Sequence, residues 1–176
     1  MKPFYSSYIN SPLGAMIAVS SDIGVCFLGF LDKVSLPDLY KQYEQASGLA
    51  IKKEANIHLE SLASELERYF HNELKIFDTP TDLIGTEFQK SVWKALMQVE
   101  YGATQSYKTL AADDLLNSSS RAVAIANSKN PVSILIPCHR IIGSDGSLTG
   151  YSGGLDRKKK LLQMELKNTP QLYSLF

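Results

Sequence analysis

An α+β fold is predicted for this chain of 176 residues, and the order of two sequence patterns predicts it. β-Rich runs joined by turn residues come first, and segments whose apolar residues recur at helical spacing follow. In the second half, two short helical segments flank a short turn, which is the pattern of a helix-turn-helix. We therefore expect a small N-terminal antiparallel sheet with helices, followed by a mostly helical C-terminal domain that contains the helix-turn-helix.

Three β-rich runs, at residues 4–9, 15–20 and 25–30, are predicted to form an antiparallel meander. The two segments between them are rich in Pro, Gly, Asn, Asp and Ser, the residues that tight turns favour. Cys26 lies in the middle of the third run, and no second metal-binding side chain accompanies it. We assign Cys26 to core packing.

Helical segments follow the strands. Residues 37–47 begin with a proline, which suits the first turn of a helix, and residues 56–71 carry apolar side chains at helical spacing. Residues 77–81 are the best candidate for a linker. We therefore expect a domain boundary here, with a supporting N-terminal domain at residues 1–78 and a second domain at residues 79–176.

The predicted helix-turn-helix comprises a first helix at residues 106–114, a tight turn at 115–117 and a second helix at 120–129. The second helix is unusually rich in small side chains, and such side chains let a helix approach another surface closely. That surface is either a neighbouring helix or a nucleic acid, and the pattern by itself favours neither. The small residues are Ser119, Ser120, Ala122, Ala124 and Ala126.

The distribution of charge indicates a local basic face. The formal net charge is zero, which argues against a strongly basic nucleic-acid-binding protein. However, residues 115–144 contain no Asp or Glu but do contain Arg121, Lys129 and Arg140. We expect DNA binding on this face to be modest in affinity and sensitive to salt.

The two cysteines and the N-terminus bear on the compartment. The chain has only Cys26 and Cys138, its first residues contain no apolar signal region, and no apolar run reaches the length of a membrane span. We expect free thiols in a reducing compartment, hence a cytoplasmic protein without a membrane partner. No group of Cys and His residues has the spacing of a zinc site, so no metal is expected.

The reactive candidate is the segment Ile-Pro-Cys-His-Arg-Ile around Cys138. We expect an apolar strand over residues 134–136 to end at Pro137, which then presents a thiol, an imidazole and a guanidinium in succession. The thiolate is the nucleophilic form of cysteine, and neighbouring imidazole and cationic groups favour it. The alternative is a buried structural cysteine with two polar neighbours.

The Pro-Cys-His-Arg-Ile motif, followed by the Gly- and Ser-rich segment 143–154, resembles the active-site signature of the O6-alkylguanine-DNA alkyltransferases, the methylated-DNA–protein-cysteine methyltransferases. The resemblance extends from about residue 85 to residue 165. It implies an RNase H-like N-terminal domain and direct reversal of O6-alkylguanine in DNA, with O4-alkylthymine as a further candidate lesion. One alkyl group passes to Cys138 and stays there, so each molecule acts once, without cofactor or metal.

The resemblance also implies catalytic roles. Cys138 is the nucleophile, His139 is the base that acts through a water molecule, and Glu165 orients the imidazole. Tyr107 donates a hydrogen bond to the leaving guanine, whose developing charge needs a donor. Without the resemblance, Glu165 reads as a solvated helix residue and Tyr107 as a core residue.

For DNA, the resemblance implies that the second helix enters the minor groove of double-stranded DNA and that the damaged base is flipped out. Arg121 is the finger that fills the gap in the base stack, and the protein acts as a monomer, associated with the nucleoid when bound or nuclear in a eukaryote. The other residues expected to contact DNA are Ser120, Ala122 and Tyr107, and the expected base-pocket residues are Tyr151, Ser152 and Gly153.

Supporting roles are expected for two further residues. Asn130 matches a hinge that ties the DNA-binding helix to the cysteine loop, and Arg140 is expected to brace the fold by pairing with an acid. Arg157 and the three lysines at residues 158–160 are expected to form a solvated face.

Three departures from the family pattern stand near the site. The turn at residues 115–117 lacks the usual Gly-x-Pro, Ala124 and Ile125 replace a Gly-containing pair, and Ser133 replaces a second proline. The competing hypotheses are a non-catalytic protein that binds alkylated DNA and recruits repair factors, a helix-turn-helix transcription factor and a cysteine hydrolase. The cysteine at position 138 disfavours the first, and the small-residue helix and neutral charge disfavour the second.

Overall fold

The computed structural model describes residues 2–114 and 116–169. The chain folds into two compact units, Met1–Ile84 and Gly85–Phe176. None of the helices in the described residues has the length and apolar character that crossing a bilayer requires.

The N-terminal unit contains the predicted antiparallel meander. Strands β1 (Tyr5–Ile9), β2 (Met16–Ser20) and β3 (Val25–Phe30) pair in the order β1-β2-β3. The central strand β2 is buried throughout, because both edges and both faces are covered. The register places Met16 opposite Ile9 and Phe30, and it shifts between Val19 and Ser20.

Two helices pack beside this sheet. Helix α1 (Leu36–Ser47) ends at Gly48, whose φ of 70° is the left-handed conformation that glycine adopts most easily. Helix α2 (Ile57–Phe70) begins at Asn56, whose side chain accepts a hydrogen bond from the Leu59 amide. Both helices were predicted within one residue at each end.

The predicted linker is partly bound to the sheet. Val25 of β3 exchanges backbone hydrogen bonds with Pro80 and Asp82, at 2.8 and 2.9 Å. The buried Glu65 carboxylate of α2 accepts from the amides of Asp78 and Thr79. The segment therefore runs as an edge of the N-terminal unit before the chain leaves it.

The C-terminal unit is mostly helical. Helix α3 (Glu87–Leu96) starts with a capping box between Thr86 and Gln89. The remaining elements follow in chain order and include a single short parallel pair of strands. They are β4 (Gln105–Ser106), α4 (Tyr107–Ala111), α5 (Ser120–Ser128), β5 (Ile141–Ile142) and α6 (Leu155–Asn168).

Helices α4 and α5 form the predicted helix-turn-helix. Ser106 caps α4, and Ser119 caps α5 by accepting from the Ala122 amide. In the turn, Asn117 has a φ of 37°, a conformation that Asn tolerates, whereas Leu115 lies outside the described residues. The indole of Trp93 in α3 donates to the Ala126 carbonyl at 2.9 Å, so one face of α5 packs closely on α3.

The prediction of a strand at residues 134–136 is wrong. These residues form a tight turn instead, in which Ile134 has a φ of 73° and the Leu135 amide donates to the Ser133 carbonyl at 2.9 Å. A β-branched residue with positive φ is strained by about 1–3 kcal/mol. The strain persists because the ends of the turn are held together from outside it, by Asn130.

Candidate active site

Cys138 lies on a single turn of 3₁₀ helix, Cys138–Arg140, that follows the tight turn. Pro137 precedes it with φ −80° and ψ 59°, and the Arg140 amide donates to the Pro137 carbonyl at 3.0 Å. Three consecutive side chains on such a turn point in different directions. All three side chains are buried.

Asn130, just after α5, ties the tight turn together. Its Nδ2 donates to the Ile136 carbonyl at 2.8 Å, and its Oδ1 accepts from the Val132 amide at 2.9 Å. The same side chain also makes a hydrogen bond that lowers the pKa of Cys138. One amide therefore connects the end of α5 with the backbone that carries the thiol.

The Glu165 carboxylate of α6 is the centre of a buried network. Its Oε1 lies 2.8 Å from Nε2 of His139 and accepts from Nη2 of Arg140 at 3.0 Å. Its Oε2 accepts from Nε of Arg140 at 2.9 Å and from the Gly102 amide at 3.2 Å. Burial by itself raises the pKa of Glu165, but the bonds from His139 and Arg140 outweigh burial and hold that pKa well below its ordinary value.

These contacts fix the tautomer of His139. Because Nε2 faces an ionised carboxylate, Nε2 carries the proton, and Nδ1 is left with a lone pair. Nδ1 is buried and has no hydrogen-bond partner in the described part of the chain. Burial lowers the pKa of His139, and Glu165 only partly opposes it, so the imidazole is neutral at pH 7. The ring can therefore accept a proton at Nδ1.

The Cys138 thiol is 2% exposed, and burial raises its pKa to about 11. Asn130 and the positive charge of Lys158 lower the pKa but do not cancel this effect. The resting protein therefore holds a neutral thiol. Nucleophilic chemistry at this sulfur requires a base to remove its proton, and His139 is the adjacent residue along the chain.

Lys158 is not part of a solvated face, contrary to the sequence-based expectation. Its side chain is fully buried in α6, and its Nζ donates to the carbonyls of Ile141, Thr149 and Gly150 at 2.5, 2.6 and 3.3 Å. Burial lowers the pKa of Lys158 to about 8. The expectation was wrong because Lys158 shares a helix face with Leu161 and Glu165, at i+3 and i+7, and that face is the buried one.

An open cavity of about 430 Å³ lies beside the start of α5. Tyr107 and Arg121 line it, and the Tyr107 hydroxyl donates to the Thr149 carbonyl at 3.4 Å. A Cβ atom at Gly150 would lie 3.3 Å from that hydroxyl, so glycine leaves room for the ring. The complete lining is Tyr107, Ser120, Arg121, Ala124, Asn127, Ser128, Thr149 and Gly150.

The other predicted base-pocket residues lie outside this lining. The ring of Tyr151 lies 6.3 Å from that of His139, edge to face. Burial raises the pKa of Tyr151 well above its ordinary value. Ser152 is exposed, and the Gly153 carbonyl accepts from Nη1 of Arg157 at 3.1 Å. Ala122 is half-buried on α5.

Sequence reasoning missed Lys158 and Asn127. Asn127 occupies a buried position of α5, on the same face as Val123. Its helical spacing from Val123 was a usable signal, because a polar residue on a buried face needs a reason to be there. As for metals, the described residues contain no group of three or more His, Cys, Asp or Glu side chains able to hold one.

Comparison with known proteins accounts for nearly the whole chain. The ribonuclease-like domain of 6-O-methylguanine DNA methyltransferase matches residues 4–83, and its DNA-binding domain matches residues 87–167. These matches confirm both the resemblance drawn from the cysteine motif and the predicted α+β fold.

Individual relatives agree. The methylated-DNA–protein-cysteine methyltransferase of Methanosarcina barkeri is 41% identical over 167 residues, which is 93% of this chain and 98% of that protein. The Mycobacterium leprae protein of the same name is 47% identical over 157 residues, 89% of each chain.

Solved structures show the same fold. The O6-methylguanine methyltransferase of Mycobacterium tuberculosis matches with a TM-score of 0.79 and 35% identity over 96% of both chains. The structure of the M. tuberculosis protein in complex with DNA matches with the same TM-score and 36% identity, over 95% of this chain and 96% of that one. Sequence, domain content and fold together place this chain in the 6-O-methylguanine DNA methyltransferase family.

Proposed function

We propose that this protein repairs alkylated DNA by direct reversal, moving the alkyl group of O6-alkylguanine to Cys138 in a single turnover. The observation that supports the proposal is the hydrogen-bonded pair of His139 and Glu165 next to Cys138 in the fold. A neutral His139, held by Glu165 at 2.8 Å, follows Cys138 directly in the chain, and its acceptor nitrogen has no hydrogen-bond partner within the part of the chain that the structure describes. O4-alkylthymine is a further candidate lesion.

The proton and electron movements follow from this geometry. His139 accepts the thiol proton at Nδ1 through a bridging water, and Glu165 stabilises the imidazolium that results. The sulfur forms a bond to the alkyl carbon while the carbon–O6 bond breaks, and its electron pair stays on guanine. A thioether has no ready leaving group, so each molecule acts once. This scheme calls for neither a metal nor an organic cofactor.

DNA is the partner, and we propose minor-groove binding by α5 with extrusion of the damaged base. Ser120 and Arg121 are exposed at the start of α5, on the rim of the cavity, and Ala122 follows them. A base inside a duplex hides its reactive atoms, so the chemistry requires extrusion. Arg121 fills the vacated position in the stack, and its charge offsets that of the phosphates.

The base pocket is assigned to two segments. Tyr107, which lines the cavity, donates to a ring nitrogen of the leaving guanine. Tyr151, Ser152 and Gly153 belong to the loop before α6, where Ser152 meets the O6 side of the base. Asn130 and Arg140 are structural: the first connects α5 to the cysteine turn and the second neutralises Glu165.

The remaining assignments concern the whole protein. Residues 1–78 are proposed as a supporting domain and residues 79–176 as the DNA-binding and alkyl-transfer domain. The protein is proposed to act as a cytoplasmic monomer.

The test is the mass of the cysteine peptides after incubation with DNA that contains O6-methylguanine. The expected result is one added methyl group on the Cys138 peptide and none on the Cys26 peptide. Cys26→Ser is the matched control and should react like the wild type, while Cys138→Ser should leave the DNA methylated. DNA binding without modification of Cys138 would instead favour the non-catalytic binding protein.

A further inference from the structure

Asn127 is a buried polar residue that the chemistry described above does not use. Its side chain projects from α5 beside the cavity and is 4% exposed. Nδ2 lies 3.5 Å from the Tyr107 hydroxyl, whereas Oδ1 is buried with no hydrogen-bond partner among the described residues. A buried oxygen without a partner reduces stability, so packing does not explain why an amide occupies this position.

Among the described residues, the Tyr107 hydroxyl has two hydrogen-bonding neighbours, and both contacts are long. It donates to the Thr149 carbonyl at 3.4 Å and accepts from Asn127 at 3.5 Å. Catalytic hydrogen bonds are often long before the substrate is bound and shorten in the complex. The phenol has one proton, so donation to a base takes that proton away from Thr149. The Asn127 N–H can stay on the oxygen throughout.

We propose that Asn127 is a positioning residue for Tyr107. By donating to the phenolic oxygen, its amide turns the O–H group towards the extruded base and stabilises the negative charge that forms on that oxygen as its proton moves to guanine. The inference rests on the proposed function and deepens it. On this proposal, the unsatisfied Oδ1 of Asn127 lowers the stability of the protein, and the same side chain provides an N–H donor to the Tyr107 hydroxyl beside the cavity.

In the proposed transfer step the sulfur–carbon bond forms, the carbon–O6 bond breaks, and the electron pair of the broken bond remains on guanine. The Tyr107 proton passes to a guanine ring nitrogen and leaves a phenolate. The proton that His139 took from Cys138 then neutralises the phenolate by way of water, so no proton is gained or lost. Burial raises the pKa of Tyr107, so a phenolate without a compensating donor is costly, and the Asn127 N–H lowers that cost.

A double-mutant cycle tests the coupling, with the single-turnover rate of methyl transfer from duplex O6-methylguanine DNA as the measurement. Asn127→Leu should slow transfer about tenfold and Tyr107→Phe about 100-fold, while the melting temperatures of both variants stay near the wild-type value. The double variant should be no slower than Tyr107→Phe. Additive losses, or no loss in Asn127→Leu, would overturn the proposal.

Asn127→Asp separates positioning from packing. An ionised carboxylate has no proton to donate and competes for the phenol's own proton. This variant should therefore be slower than Asn127→Leu at neutral pH, and its rate relative to the wild type at the same pH should recover as the pH falls and the carboxyl group is protonated. An unchanged pH profile would contradict the inference. If wild-type Cys138 itself stays unmethylated, the proposed function fails; if it is methylated and both Asn127 variants match it, this inference alone fails.

Discussion

Replacing Glu165 by glutamine would remove one negative charge from the interior while keeping the side-chain volume. Within the described residues, the carboxylate accepts at least four hydrogen bonds: one from His139, two from Arg140 and one from Gly102. Glutamine offers one acceptor oxygen and one NH₂ group. In the variant, this NH₂ group therefore points at N–H donors that bonded the carboxylate in the wild type. Arg140, which is 6% exposed, also loses its counter-charge.

Removing one partner of a buried ion pair costs about 3–5 kcal/mol, because the other charge remains uncompensated. At about 2–4 °C per kcal/mol for a chain of this size, the melting temperature should fall by roughly 6–20 °C. The assay is thermal unfolding followed by circular dichroism. Glu87→Gln is the matched control: Glu87 pairs with Lys90 at 3.4 Å on the surface, and such a pair contributes about 1 kcal/mol or less.

The pH dependence sharpens this prediction. The pKa of Glu165 in the folded protein lies well below its ordinary value of 4.5, so the unfolded state binds the proton first. The stabilisation is therefore complete above about pH 5 and declines as the pH falls. The gap in stability between wild type and Glu165→Gln should narrow in acid. Equal melting temperatures for Glu165→Gln and Glu87→Gln at pH 7 would refute the reasoning.

The remaining predictions concern the base, the buried lysine and the finger. Because burial lowers the pKa of His139, the acid limb of methyl transfer should lie below the ordinary imidazole pKa of 6.5, and a limb above it would contradict a buried neutral base. Since the pKa of Lys158 falls from 10.5 to about 8 on folding, the unfolded state binds more protons in that window. As the pH rises from about 8 to 10, the free energy of unfolding of the wild type, measured in urea, should increase by up to about 3 kcal/mol relative to that of Lys158→Met. A difference between the two proteins that does not change with pH would refute the lowered pKa of Lys158. Arg121→Ala should slow transfer from duplex DNA at least about tenfold and leave transfer from a free alkylated guanine base unchanged, since only the duplex needs extrusion; equal losses on both would contradict the finger role.

Much of the fold was readable because it depends on local patterns. The three strands and the two N-terminal helices follow from β-rich runs between turn residues, from apolar residues at helical spacing and from a proline at a first turn. The strand expected at residues 134–136 failed because apolar runs of this length do not distinguish a strand from a buried turn. The positive φ of Ile134 has no sequence signal, since it is imposed by the bonds that Asn130 makes across the turn.

Candidate site residues could be predicted from the sequence where they belong to a motif, but not where only their packing in the folded chain brings them to the site. The Cys138 motif pointed to a candidate nucleophile and a candidate base, and the family resemblance added Glu165, which the structure places 2.8 Å from His139. Lys158 was misread because adjacent cationic residues usually lie in solvent. In α6, however, Lys158 is the one of the three lysines that lies on the buried face of the helix. Asn127 was missed because its partner Tyr107 lies in another helix.

The central claim is that Cys138, activated through His139 and Glu165, is the final acceptor of the alkyl group. The most direct measurement is the number of methyl groups transferred per protein molecule in the presence of excess O6-methylguanine DNA. We expect one methyl group per molecule, on Cys138, with Cys26 unmodified and no further transfer. Repeated turnover, or methyl groups lost from DNA while Cys138 remains a free thiol, would contradict it.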